Sequence, residues 1–215
     1  MRESNENEKR EPEKSAGAAW DNALKDAYED LQKSPTLSQA AREALKESES
    51  RWEEFRKADS LFFDSVFGAA HGDKADEYKQ QIVQDRVEQL VALRDGKLTA
   101  PDSSNSIDRK LSRCLAFNPN PGSTVVCLGQ AANDWQILKN QTLSDLANNK
   151  PAMRQELAKD ERAWQEFAEA EDRFLGLMYP DNGPSDTGSK RLKAEVNAMK
   201  DRALEVVQIE KLSEK

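Results

Sequence analysis

Three side chains carry the chain's thiol and imidazole chemistry: Cys114, Cys127 and His71. Twelve residues separate the two cysteines, across a loop rich in Pro and Gly, Asn118-Pro119-Asn120-Pro121-Gly122. A disulfide closing a loop of that length contributes about 3 kcal/mol by restricting the unfolded chain. It would also place the protein in an oxidising compartment. Two buried free thiols are the alternative reading of the same pair. A zinc site is not expected, because a tetrahedral ion needs four ligands and His71 stands far off in the sequence. A redox-active pair is usually spaced Cys-x-x-Cys, which this one is not.

The remaining candidates for chemistry are carboxylates and hydroxyls. General acid–base catalysis needs carboxyl groups in a cleft with displaced pKa values. The 40 Asp and Glu residues instead fall between apolar positions, on the polar faces of helices. The serines lack a histidine base, since His71 sits in a Gly-containing loop. No Gly-rich phosphate loop, calcium loop or zinc motif is present. The expectation is a protein that is not an enzyme, with no catalytic, cofactor-binding or metal-binding residues.

Binding is then the function to look for, and loops freed from core packing are where recognition concentrates. The segment Tyr179 to Ser189 holds two prolines and two glycines. Tyr179 is its aromatic anchor and Asp181, Asn182 and Asp186 are its acceptors. The rival surface is the acidic face of the helix around Trp164, with Glu166, Glu169 and Asp172.

These positions must be held by helices. Charged residues make up 33% of the chain and β-branched runs are scarce, which favours helix over sheet. With a net charge of −8 and no basic stripe, the chain lacks what nucleic-acid binding requires. No apolar run has the length of a membrane span. The first fifteen residues are almost devoid of apolar side chains and read as a disordered tail, with no h-region of a signal peptide. The protein is thus either cytosolic or a mature exported chain lacking its signal peptide.

Apolar periodicity places helices from Trp20 to Leu31, from Ser38 to Phe67 and from Asp76 to Leu93. After Thr99 to Ser106, a linker rich in Pro, Ser and Asn, a short helix precedes the Cys114–Cys127 loop. A further helix starts at Ser123 or Thr124 and runs through Trp135 to about Leu146. The Trp164 helix follows, and the last helix spans Lys190 to about Lys211. Residues 50–62 and 162–174 share five of thirteen identities, namely the Trp, Glu, Phe, Ala and Phe at Trp52/Trp164, Glu54/Glu166, Phe55/Phe167, Ala58/Ala170 and Phe62/Phe174. Leu45 matches Leu157 in the same register, and Asp85-Arg86 recurs as Asp201-Arg202. Matching of this kind predicts two copies of one structural unit. The expected organisation is an all-α chain of two tandem helical repeats: a tail at 1–18, a first unit at 19–98, a linker at 99–106 and a second unit at 107–215. Each unit is expected to consist of an N-terminal helix and a long antiparallel helical hairpin.

The pattern of Cys114-Leu115, Ser123-Thr124, Cys127, Ala131, Trp135, Trp164, Phe167 and Arg202 resembles the lysozyme inhibitor LprI-like family of bacterial envelope proteins. In the first unit the resemblance runs through Trp20, Leu24, Tyr28, Leu31, Trp52, Phe55, Arg56, Gly72 and Arg86. The chain departs from the family at Lys25, at Leu143 in place of a tyrosine, at Ala168 in place of an arginine, and at Ser60 and Asp172 where a cysteine is often found. One of the usual disulfides can therefore form.

The resemblance implies a periplasmic protein that docks on a lysozyme-like or other peptidoglycan-degrading enzyme and blocks it. It would also suit an immunity protein acting against a delivered cell-wall toxin. An acidic inhibitor is steered electrostatically toward a basic enzyme. Excess acid is also an ordinary route to solubility. The alternative is a helical scaffold or adaptor of the envelope without an enzyme target.

Overall fold

The computed structural model describes the backbone of residues 3–67, 72–98, 104–117, 120–180 and 187–213. Among the described residues it is all-α, with seven helices: α1 (Glu3–Gln32), α2 (Gln39–Phe67), α3 (Gly72–Asp95), α4 (Ser106–Phe117), α5 (Pro121–Asn149), α6 (Arg154–Met178) and α7 (Thr187–Ser213). A 3-10 turn, Pro151–Met153, links α5 to α6.

The ends of these helices follow from local chemistry. The Ser38 hydroxyl accepts from the Ala41 amide at 3.1 Å and starts α2. Asn105 accepts from the Ile107 amide at 2.8 Å and starts α4. Asn120 accepts from the Ser123 amide at 2.9 Å, with Pro121 in the first turn of α5. Pro fits there because its missing N–H has no helical partner and its φ is already helical. That start lies two residues before the expected Ser123. At the end of α3, Lys97 donates to the Ala92 carbonyl and Gly96 to that of Leu93, while Gly96 has φ 65°. This left-handed stop is one that glycine adopts without a Cβ clash.

Three other boundaries differ from expectation. The segment Glu3 to Ser15, expected to be disordered, continues α1. It is rich in Glu and Lys, which have good helix propensity, so it can extend a helix without an apolar face. Helix α3 begins at Gly72 and α7 at Thr187, each inside a stretch assigned to a loop. His71 lies outside the described residues.

The chain separates into two compact units that do not coincide with the expected 19–98 and 107–215 division. One comprises residues 1–36 and 67–97; the other comprises 37–66 and 98–215. In the first, α1 and α3 pack with the same chain direction. Gly17 faces Gln80, and Arg94 pairs with Asp30 at 2.9 Å. Leu24, Ala27 and Leu31 from α1, and Tyr78, Ile82, Val83, Val87, Leu90 and Leu93 from α3, are buried. These are the positions that the helical period singles out.

In the second unit, α6 runs antiparallel to α2, α5 and α7. Its order against α5 is set by Lys139–Glu161 and by Arg154 donating to the Ala147 carbonyl at 2.6 Å. Against α7 it is set by Arg191–Asp172 at 2.5 Å near one end and Arg202–Asp160 further along. Against α2, Ser48 donates to Glu171, and the rings of Phe55 and Phe167 stack at 6.2 Å with 6° between their planes. Trp52, Trp135 and Trp164 are all buried. Leu111, Cys127, Leu128, Ala131, Trp135, Val196 and Ala203 form one apolar cluster joining α4, α5 and α7.

Candidate functional site

The second unit is centred on a cluster of charges. Arg202 of α7 is 1% exposed and stands among four carboxyl groups. Its Nη1 lies 3.0 Å from Glu205 and 3.5 Å from Asp59 of α2. Its Nη2 bonds Asp160 of α6 and lies 3.7 Å from Glu161. A second cation, Lys139 of α5, bonds Glu161 and sits 4.0 Å from the centre of the Trp164 ring. The guanidinium also faces the Phe55 ring at 5.1 Å.

Two cations among four carboxyls leave an excess of negative charge away from water, so protonation is favoured. Burial pushes the Asp160 carboxyl up to about 6, against the opposing pull of Arg202. Burial, together with Glu205 and Asp160, also raises Asp59 well above its ordinary range. Burial lowers Lys139, in part offset by its bond to Glu161. For Arg202 burial opposes charge, yet the fields of Asp160, Glu205, Asp59 and Glu161 outweigh it and the guanidinium stays charged. The cluster ties α2, α5, α6 and α7 together. It is enclosed by helices, and its role is to fix their positions.

Directly along the α2–α6 seam, the surface is acidic. Arg51 is held at 3.1 Å by Glu47, at 2.8 Å by Glu54 and at 3.2 Å by Glu166 across the seam. These side chains are all partly open to solvent, and three carboxylates surround one guanidinium. The helix spacing explains the set: Glu47 and Glu54 lie four and three residues from Arg51 on one face of α2. Glu169, one turn beyond Glu166, is exposed.

Of the residues singled out in the sequence, Glu166 and Glu169 therefore lie on an open face. Asp172 is engaged by Arg191, which also binds Glu195 at 2.7 Å. Tyr179 does not project as an anchor. It is 8% exposed, its backbone N–H closes α6 onto Leu175 at 2.8 Å, and burial raises its phenol pKa. Asp181, Asn182 and Asp186 lie outside the described residues. Sequence reading missed Arg51, Glu47 and Glu54; their 47/51/54 spacing was visible, but their nearness to Glu166 depends on the pairing of α2 with α6.

Cys114 and Cys127 are joined in a disulfide with Cα atoms 5.8 Å apart, closing the α4–α5 hairpin. Lys110 pairs with Asp134 across the same hairpin at 2.6 Å. Among the described residues no group of His, Cys, Asp and Glu has the arrangement to hold a metal ion. No helix among them is long and apolar enough to cross a membrane.

No curated protein and no solved structure matches the chain. A family match covers the stretch that builds α1, α2 and most of α3, including Glu47, Arg51 and Glu54. Over residues 3–90 the chain matches the lysozyme inhibitor LprI family.

Proposed function

We propose that this protein binds and blocks a lysozyme-like, peptidoglycan-degrading enzyme in the periplasm, using the acidic seam of α2 and α6 as its docking face. The supporting observation is the placement of Glu47, Glu54 and Glu166 around Arg51, on a helix inside the family match. A basic groove on the enzyme would meet Glu47, Glu54, Glu166 and Glu169 with complementary charge, which accelerates encounter. The seam is backed by the Phe55–Phe167 stack and the Arg202 cluster, so its carboxylates are presented by a fixed surface. Preorganisation of this kind reduces the entropy lost on binding.

The proposal extends to the second half of the chain, as a divergent second copy of the family unit. Trp52 and Trp164, Phe55 and Phe167, Leu45 and Leu157, and Arg86 and Arg202 occupy equivalent sequence positions, and all are buried. An immunity role against a delivered cell-wall toxin fits the same docking face. Inhibition of a basic lysozyme in a cell-wall turbidity assay tests the reading. A folded chain that neither binds nor inhibits such enzymes would favour the envelope-scaffold alternative.

A further inference from the structure

The opposite kind of surface occurs at the α4–α5 hairpin. From residue 109 to residue 133 the sequence contains Arg109, Lys110 and Arg113 and no Asp or Glu, in a chain whose net charge is −8. Arg109, Arg113 and Phe117 are spaced four apart, so they form one stripe along the exposed side of α4. Phe117, the last residue of α4, is 84% exposed; Val126 and Val125, near the start of α5, are 58% and 43% exposed. The other side of α4 is committed to the core through Leu111 and Cys114. The carboxylates next to this acid-free stretch are already engaged, Asp108 by Lys200 at 2.7 Å and Asp134 by Lys110. The disulfide lies three residues before Phe117 and one after Val126, so the apolar tip is stapled within about one helical turn of a fixed point.

An apolar tip of three side chains behind a basic stripe combines the two signals that a peripheral protein needs to bind an anionic bilayer: hydrocarbon to insert and cations for the headgroups. We propose that the α4–α5 tip docks on an anionic lipid surface, with Phe117, Val125 and Val126 entering the interface and Arg109 and Arg113 meeting lipid phosphates. A second copy of the chain fits less well, since a two-fold contact at the tip would bring the two basic stripes together. A basic enzyme is repelled from it, which leaves the acidic α2–α6 seam available. This inference does not depend on the inhibitor reading.

The test is co-sedimentation of the oxidised full-length chain with vesicles of phosphatidylcholine alone or with one-third phosphatidylglycerol, at low and high salt. Binding to the anionic vesicles, lost at high salt, is expected. Phe117→Asp and Arg113→Glu should each weaken it at least tenfold, and Leu61→Asp, a change at another exposed apolar residue, should not. Unchanged helical circular dichroism shows that each variant folds. Absence of binding to anionic vesicles, equal binding to both vesicle types, or insensitivity to Phe117→Asp overturns the proposal. A dimer in sedimentation that Phe117→Asp dissociates also overturns it, in favour of self-association, as does salt-sensitive capture by an acidic protein without any vesicle binding.

Discussion

Replacing Arg202 by methionine probes the charge cluster most sharply. Methionine keeps an unbranched apolar stem but is shorter, so the change removes the charge together with the guanidinium contact on Phe55. It removes the cation shared by Asp59, Asp160, Glu161 and Glu205, while Lys139 stays bonded to Glu161. Removing one member of a buried ion pair costs about 3–5 kcal/mol, most of it the penalty of stranding the other charge. For a unit of this size that is a fall in Tm of roughly 10 °C. The loss should also depend on pH. At pH 7 a stranded Asp59 or Asp160 must ionise or take up a proton at a cost; below their raised pKa values, about 6 for Asp160, these two are neutral and need no cation. Urea unfolding followed by circular dichroism at pH 7 and pH 4.5 measures both numbers. A loss below about 1 kcal/mol at pH 7, or one that grows on acidification, would refute the idea that this arginine balances the cluster.

The opposite substitution, Asp160→Asn, removes one surplus charge and should cost less than about 1 kcal/mol at pH 7. Because the Asp160 pKa is raised on folding, the folded state binds the proton more tightly. Stability from this group is present below about pH 4 and is lost as pH rises to about 6, by about 2–3 kcal/mol; the Asn variant should flatten that decline in pH-dependent unfolding curves. Replacing both Cys114 and Cys127 by serine should cost about 3 kcal/mol and increase hydrogen exchange in α4, with α1 and α3 unaffected. Gly96→Ala should cost about 1 kcal/mol in thermal melts, because φ 65° is strained for any residue with a Cβ. Glu54→Lys with Glu166→Lys should slow association with a basic lysozyme about tenfold at low salt, and high salt should erase the difference in stopped-flow traces.

The all-α class and the core were legible because helical periodicity marks buried positions whatever the tertiary partner. Leu24, Leu31, Trp52, Phe55, Trp164 and Phe167 all read correctly from spacing. Helix starts were less legible where capping competes with loop signals. Asn120-Pro121 looked like part of a turn, yet Asn is a good cap and Pro a good first residue. The charge cluster was not legible, because Asp59 and Asp160 sit among many surface acids and nothing local distinguishes them. Arg202 was noticed through the recurring Asp-Arg pair and the family resemblance, neither of which gave it buried carboxylate partners. Tyr179 misled because an aromatic residue before Pro180 resembles a projecting loop residue, whereas it is packed at the end of α6. The acidic seam was half legible: the face of Glu166 and Glu169 was visible, but Arg51 and its carboxylates joined it only through the α2–α6 pairing.

Inhibition by docking on a basic peptidoglycan-degrading enzyme can be measured by calorimetric titration of the chain into a basic lysozyme, with activity followed on the same samples. A saturable complex that weakens with salt is expected, with a parallel loss of cell-wall lysis. Lysis that continues undiminished with the chain in large excess, and no heat of binding across basic lysozymes and related muramidases, would contradict it.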